Sequence, residues 1–156
     1  GAAQVTAVDS GHGQLSARLA ADSRVRSLEG MNARYLSAAE VGTGYDIAVM
    51  DVSFISQTLI LPVIPALLRD GGELVSLIKP QFEVGRADVG KGGIVRSAAA
   101  RERAVTAVRT AADAVGLKCC GVITSPIQGG DGNTEYLAHF RRAATTGKEE
   151  LSAPMA

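Results

Sequence analysis

The chain has 156 residues, 46% of them hydrophobic and 21% charged, which suits one ordinary globular domain and excludes an intrinsically disordered segment. Lysine plus arginine equals aspartate plus glutamate at 16 each, so no global charge announces a nucleic-acid or anionic-membrane partner, although a local patch would suffice for RNA. No apolar run reaches the roughly 18 residues of a spanning helix, and the N-terminus carries no secretory pattern.

Gln4 to Asp9 reads as a strand ending in an acid, and Gly11 and Gly13 punctuate a turn into a helix with Leu15 and Leu19 on one face. A short alternating strand, Arg24 to Leu28, leads to a loop around Asn32. Asp46 to Met50 is nearly continuous in apolar residues, as a strand buried on both faces should be. Ser53 is a candidate N-cap for a helix through Leu68, kinked or split at Pro62 and Pro65 and closed by Gly71-Gly72. Leu74 to Ile78 is the next buried strand, and Pro80 to Arg96 is a long glycine-rich segment without a period, the kind that is functional or disordered. Ser97 opens a helix whose stripe is Ala104, Val105, Val108, Ala111, Ala112 and Val115, and Gly116 ends it. Leu117 to Ile123 and Glu135 to Phe140 then form an antiparallel pair. Residues 143–156 read as a flexible tail after a domain spanning 1–142. The fold class is therefore α/β, a Rossmann-like parallel sheet with an antiparallel C-terminal edge strand.

Three of these strands deliver a charge just beyond their ends: Asp51, Lys79 and Glu135. Ligands of open α/β sheets bind outside the carboxyl ends of the strands, so the three together predict an active site on one rim. Each has a plainer reading on its own: Asp51 as a helix cap, Lys79 as a solvated strand end, Glu135 as an edge charge opposing aggregation. Asp9 is placed to accept the ribose hydroxyls of a nucleoside cofactor or merely to satisfy the amides of its own turn. Gly85 to Gly92 nearly spells a phosphate-binding loop but has glycine where the magnesium-binding Ser or Thr belongs, and no GxGxxG fingerprint occurs. Cys119 and Cys120 are neighbours without metal-ligand spacing, which predicts buried, reduced thiols in a cytoplasmic protein and no metal site. His12 and His139 have no ligand-like partners in sequence and read as structural. Arg86, Lys91 and Arg96, followed by Arg101 and Arg103, make a basic cluster fit for RNA phosphates, or a mixed solvated face, since Glu83, Asp88 and Glu102 interrupt it.

In order along residues 4 to 142, the motifs Asp9-Ser-Gly-His-Gly-Gln-Leu15, Asn32-Ala-Arg-Tyr-Leu36, Met50-Asp-Val-Ser-Phe54, Ile78-Lys-Pro-Gln-Phe-Glu83, Gly90-Lys-Gly-Gly-Ile-Val-Arg96 and Gly132-Asn-Thr-Glu135 closely resemble the TlyA-type proteins. These are called hemolysins and look like S-adenosylmethionine-dependent ribosomal RNA 2′-O-methyltransferases with an FtsJ-like fold. The resemblance implies a Lys-Asp-Lys-Glu tetrad whose last three members are Asp51, Lys79 and Glu135. It also implies cofactor contacts at Asp9, Gly11, Asn32, Asp51 and Val52, and ribosomal RNA as partner. An ordinary lysine is protonated at neutral pH, so a base role for Lys79 requires desolvation and a neighbouring cation.

The departure from the family is equally definite. An S4-type RNA-binding domain, the first tetrad lysine, and the first, central strand with its glycine-rich cofactor loop are all absent from these residues. The expectation is an N-terminally truncated methyltransferase sheet, inactive by itself, that folds alone or pairs with a second copy. The alternatives are a non-catalytic RNA-binding or assembly module and a hemolysin-like membrane-active protein.

Overall fold

A computed structural model describes residues 1–145. In chain order its elements are β1 (Val5–Val8), α1 (Ala17–Ala20), β2 (Val25–Leu28), α2 (Ala38–Val41), β3 (Tyr45–Met50), α3 (Ile64–Leu67), β4 (Leu68–Ile78), α4 (Ala98–Ala114), β5 (Leu117–Thr124) and β6 (Tyr136–Arg142). Short 3₁₀ turns link several of them. Of the expected tail, Ala143 N–H reaches the Gly116 carbonyl at 2.9 Å and Thr145 Oγ1 reaches Asp70 at 3.2 Å; residues 146–156 lie outside the described residues.

The strands form two sheets. One holds β1 and β2 in parallel, with Val5 opposite Val25 and Val8 opposite Leu28. The other has the order β3-β4-β6-β5, with β3 parallel to β4 and β6 antiparallel to both of its neighbours. The antiparallel part of the sheet falls at its C-terminal end, as the sequence suggests; within it β6 lies inside and β5 forms the edge. Between β1 and β3, where a continuous sheet would have one more strand, lies a cavity of about 360 Å³.

The core sits on the four-stranded sheet. Leu74 and Ile78 of β4, Ala138 and Phe140 of β6, and Leu117 of β5 are buried against Ile60, Leu61 and the α4 residues Val108 and Ala112. Burying each of the larger side chains contributes about 1.5–3 kcal/mol. Helix α4 forms where the sequence places it: the Ser97 hydroxyl accepts the Ala100 N–H at 3.1 Å, and Ala100, Ala104, Val108 and Ala112 are buried at a spacing of four. Gly116, at φ 82°, turns the chain into β5.

Several expectations need correction. The helix expected from Ser53 to Leu68 is two 3₁₀ turns and the four-residue α3, because Pro62 and Pro65 lack the N–H groups that a continuous helix would use. Ser56, rather than Ser53, caps the first of these turns, accepting the Thr58 N–H at 3.2 Å. Gly71 and Gly72 do not close a helix but bend β4: Gly71 has φ 69°, and a Cβ on Gly72 would stand 2.8 Å from the Arg69 carbonyl oxygen. The helix expected after Gly13 is a single turn, α1, with no buried residue and Leu19 exposed. Pro80 to Arg96 is an ordered chain of 3₁₀ turns. Cys119 is half-buried and Cys120 exposed, both free, because neighbours on an outer strand point to opposite faces. No helix among the described residues is long and apolar enough to cross a membrane.

Candidate active site

Two of the strand-end charges meet directly. Lys79 leaves the tip of β4 and its Nζ stands 2.6 Å from Asp51 Oδ1, at the tip of the adjacent parallel strand β3, and 3.1 Å from Ser53 Oγ. The lysine side chain is 15% exposed and that of Asp51 66%, so the amine is held under a lip of protein while the carboxylate faces outward. The parallel pairing of β3 with β4 makes this meeting possible, since both strands end on the same rim.

Glu135 reaches the same place by another route. The β4–β6 register runs from Glu73 opposite Arg141 to Ile78 opposite Tyr136, so one step further sets Lys79 across from Glu135. Its side chain is buried, at 6% exposure, and accepts the Gln81 Nε2 at 3.2 Å rather than the Lys79 amine. Gln81, two residues beyond Lys79, therefore belongs to the site although nothing in its sequence position singled it out; its Oε1 is buried without a partner. Gly129 allows the arrangement, because a Cβ there would lie 2.5 Å from Glu135 Oε1.

A buried polar clamp holds the two loops in register. Glu83 accepts the Ser56 hydroxyl at 2.6 Å and the Gln57 N–H at 2.8 Å, tying the segment after β3 to the turn after β4. Gln57, buried, donates to the Leu77 carbonyl at 2.5 Å and accepts the Ser76 hydroxyl at 2.6 Å. Burial pushes the Glu83 carboxyl above its usual range, against the pull of those two hydrogen bonds. Between the tied ends, Phe54 is the one non-glycine described residue at positive φ, 62°; its ring is 92% exposed and tilted against Phe82 at 4.9 Å. A strained backbone presenting a bare aromatic beside a charged pair is a feature of functional loops, and only the tertiary structure reveals it.

Of the expected cofactor residues, Asp51 and Val52 line the cavity, whereas Asp9, Gly11 and Asn32 are not among the residues that line it. Asp9, at the end of β1, accepts the Gly11 N–H at 2.7 Å through Oδ1, as its turn-forming reading requires, and stays exposed. Asn32 caps a 3₁₀ turn, accepting the Arg34 N–H at 3.0 Å. Asp51 and the half-buried Val52 line the cavity from the β3 side. Of the basic cluster, Arg86, Lys91 and Arg96 are exposed and form no ion pair with any described residue, whereas Arg103 is paired with Asp88 at 3.1 Å and Arg101 donates to the Val95 and Arg96 carbonyls. Buried Asn133 pins the loop that bears them, accepting the Val95 N–H at 3.0 Å and donating to the Gly93 carbonyl at 2.9 Å. His12 stands 3.5 Å from Glu29 and His139 3.2 Å from Glu73, away from the site. No cluster that could hold a metal occurs among the described residues.

A mostly parallel α/β sheet with an inserted antiparallel strand and charged side chains at its strand ends defines the fold of the Rossmann-like methyltransferases. It is shared, at 17% identity and a TM-score of 0.60, by the N-methyltransferase NodS of Bradyrhizobium japonicum over 89% of this chain and 66% of that one. The chain belongs to the FtsJ-like methyltransferase family, which it matches over residues 1–142. It is 43% identical over 141 residues to the 16S/23S rRNA (cytidine-2′-O)-methyltransferase TlyA of Mycobacterium tuberculosis, covering 90% of this chain and 53% of that protein. A solved hemolysin-type structure from Streptococcus thermophilus is 45% identical, with a TM-score of 0.87 over 92% of this chain and 52% of that one. The chain spans about half the length of the curated relatives it matches.

Proposed function

We propose that these residues form the acceptor side of an S-adenosylmethionine-dependent ribose 2′-O-methyltransferase whose substrate is ribosomal RNA, as the TlyA relative's name suggests. The observation that carries the reading is the Lys79–Asp51 pair at the strand rim with Glu135 one register step away. Lys79 Nζ takes the proton of the 2′-hydroxyl or holds that hydroxyl in line. Asp51 fixes the amine and faces the developing charge change, and Glu135, steadied by Gln81, orients the ribose. Bound S-adenosylmethionine supplies the methyl group, with O–C bond formation matched by S–C cleavage and the electron pair left on sulfur. A carboxylate at Asp9 suits ribose hydroxyls and one at Asp51, on the cavity wall, suits a sulfonium, so the donor set fits the group. The 156 residues are on this reading inactive by themselves.

Arg86, Lys91 and Arg96 grip RNA phosphates, and the Phe54 ring offers a stacking platform for a base beside the acceptor ribose. An enzyme that meets ribosomal subunits belongs in the cytoplasm. The test is a chimera that joins to this chain the part of the M. tuberculosis relative that it does not match. Incubated with ribosomal subunits and labelled S-adenosylmethionine, it should place label at a nucleotide that resists alkaline cleavage, and Lys79→Ala should lower the rate by about 10²–10⁴-fold while cofactor affinity holds. Near-normal turnover by the alanine variant would refute the assignment.

A further inference from the structure

The ammonium of Lys79 is tetrahedral, with three N–H directions beyond its bond to Cε. One is directed to Asp51 Oδ1 at 2.6 Å and a second to Ser53 Oγ at 3.1 Å. The third meets no acceptor among the described residues, because Glu135, one register step away on β6, takes its hydrogen bond from Gln81 instead. With its side chain only 15% exposed, the lysine has little room to carry the amine elsewhere.

Ser53 is held in place from both sides. Two residues before it, Asp51 is tied to Lys79; three and four residues after it, the Ser56 hydroxyl and the Gln57 N–H are tied to Glu83 at 2.6 and 2.8 Å. Both ties run to segment 79–83, so the Ser53 hydroxyl and the Lys79 amine belong to one bonded unit, with Phe54 turning the chain between them at φ 62°. Ser53 has no other bonding task. Ser56 caps the turn that follows, and the exposed Ser53 O–H finds no acceptor among the described residues.

We infer that Ser53 is a positioning residue for methyl transfer: it decides which corner of the Lys79 nitrogen faces the acceptor 2′-hydroxyl. The inference rests on the proposed reading of Lys79 as the group that takes that hydroxyl's proton or holds it in line. A neutral amine has two N–H groups and one lone pair. Asp51 fixes one N–H but leaves the lone pair to be shared between the other two corners. Ser53 accepts at the second corner and so assigns the lone pair to the third. The 2′-O–H proton moves to that lone pair as the oxygen bonds the methyl carbon and the S–C electron pair stays on sulfur. Without Ser53, the second N–H turns to the 2′-oxygen as a donor and the lone pair points away from the proton it must take.

The first readout needs no substrate. In this chain, ¹⁵N relaxation of the Lys79 ammonium reports its rotation about the Cε–Nζ bond. Ser53→Ala should speed that rotation about fivefold, since one hydrogen bond is lost. Ser53→Thr, which keeps the hydroxyl, should restore it, and Lys118, paired with Asp113, should not change in either variant. The second readout is kinetic, in the chimera described above. Ser53→Ala should lower kcat about tenfold with KM for ribosomal subunits unchanged, and Ser53→Thr should recover the rate. Unchanged rotation, unchanged kcat, or a raised KM with kcat intact would overturn the inference. A wild-type chimera that transfers no methyl group would take down the reading of Lys79 itself and this inference with it; an active chimera in which Ser53→Ala turns over like wild type defeats the inference alone.

Discussion

The two sheets of this protein are built from similar strands and have opposite fates. In the sheet formed by β3, β4, β6 and β5, Leu74, Ile78, Leu117 and Phe140 are completely buried beneath α4. The unit of β1, α1 and β2 contains no fully buried residue; the first in the chain is Val41. Regular hydrogen bonding therefore does not by itself make a core. A two-stranded pair is marginal in water, and this one has no third strand beside it among the described residues.

That contrast can be broken or sharpened by measurement. Phe140→Ala should cost about 3–5 kcal/mol in urea unfolding, whereas Val8→Ala on β1 should cost less than about 1 kcal/mol; equal costs would mean that the two sheets share one core. Native-state amide exchange should show β1 and β2 opening locally, well before the amides of β4 and β6, and a single common opening energy would contradict the division. Asn133→Ala leaves the Val95 N–H and Gly93 carbonyl without their partner and should cost about 1–3 kcal/mol, read as a lowered melting temperature, with no change in β1–β2 exchange.

The smallest effect concerns pH. The folded carboxyl of Glu83 sits above the usual glutamate range, so the folded state binds this proton more tightly than the unfolded state. Its contribution to stability is greatest at pH values below the ordinary glutamate pKa, falls as pH rises through the folded value, and is constant beyond it. Unfolding midpoints of wild type and Glu83→Gln compared from acid to neutral pH should diverge across that window, and parallel curves would show that Glu83 titrates alike in both states.

How much of this was legible beforehand differs by element. Asp51, Lys79 and Glu135 were visible because each follows an apolar run, and strand ends are where an α/β sheet gathers its chemistry. Their motifs also carried the family resemblance. Gln81, Gly129 and Phe54 were not visible, since their roles depend on which loop lies beside which: a burial partner, a close approach and a positive φ have no signature in a single sequence. The split of the run from Ser53 to Leu68 at Pro62 and Pro65 was legible, but not that Ser56 would be the cap or that only 3₁₀ turns and a four-residue helix would remain.

Sequence alone determined the alternation of strands and helices, the Ser97 cap and alanine-rich stripe of α4, and the charges at three strand tips, because these follow from local periodicity and residue chemistry. Tertiary structure alone decided that β6 runs between β4 and β5, that Glu135 is held by Gln81 while Lys79 is held by Asp51, and that the sheet is split by an apolar slot. Those are matters of pairing between distant segments, set by which edges and faces can be buried together, and no local pattern encodes them.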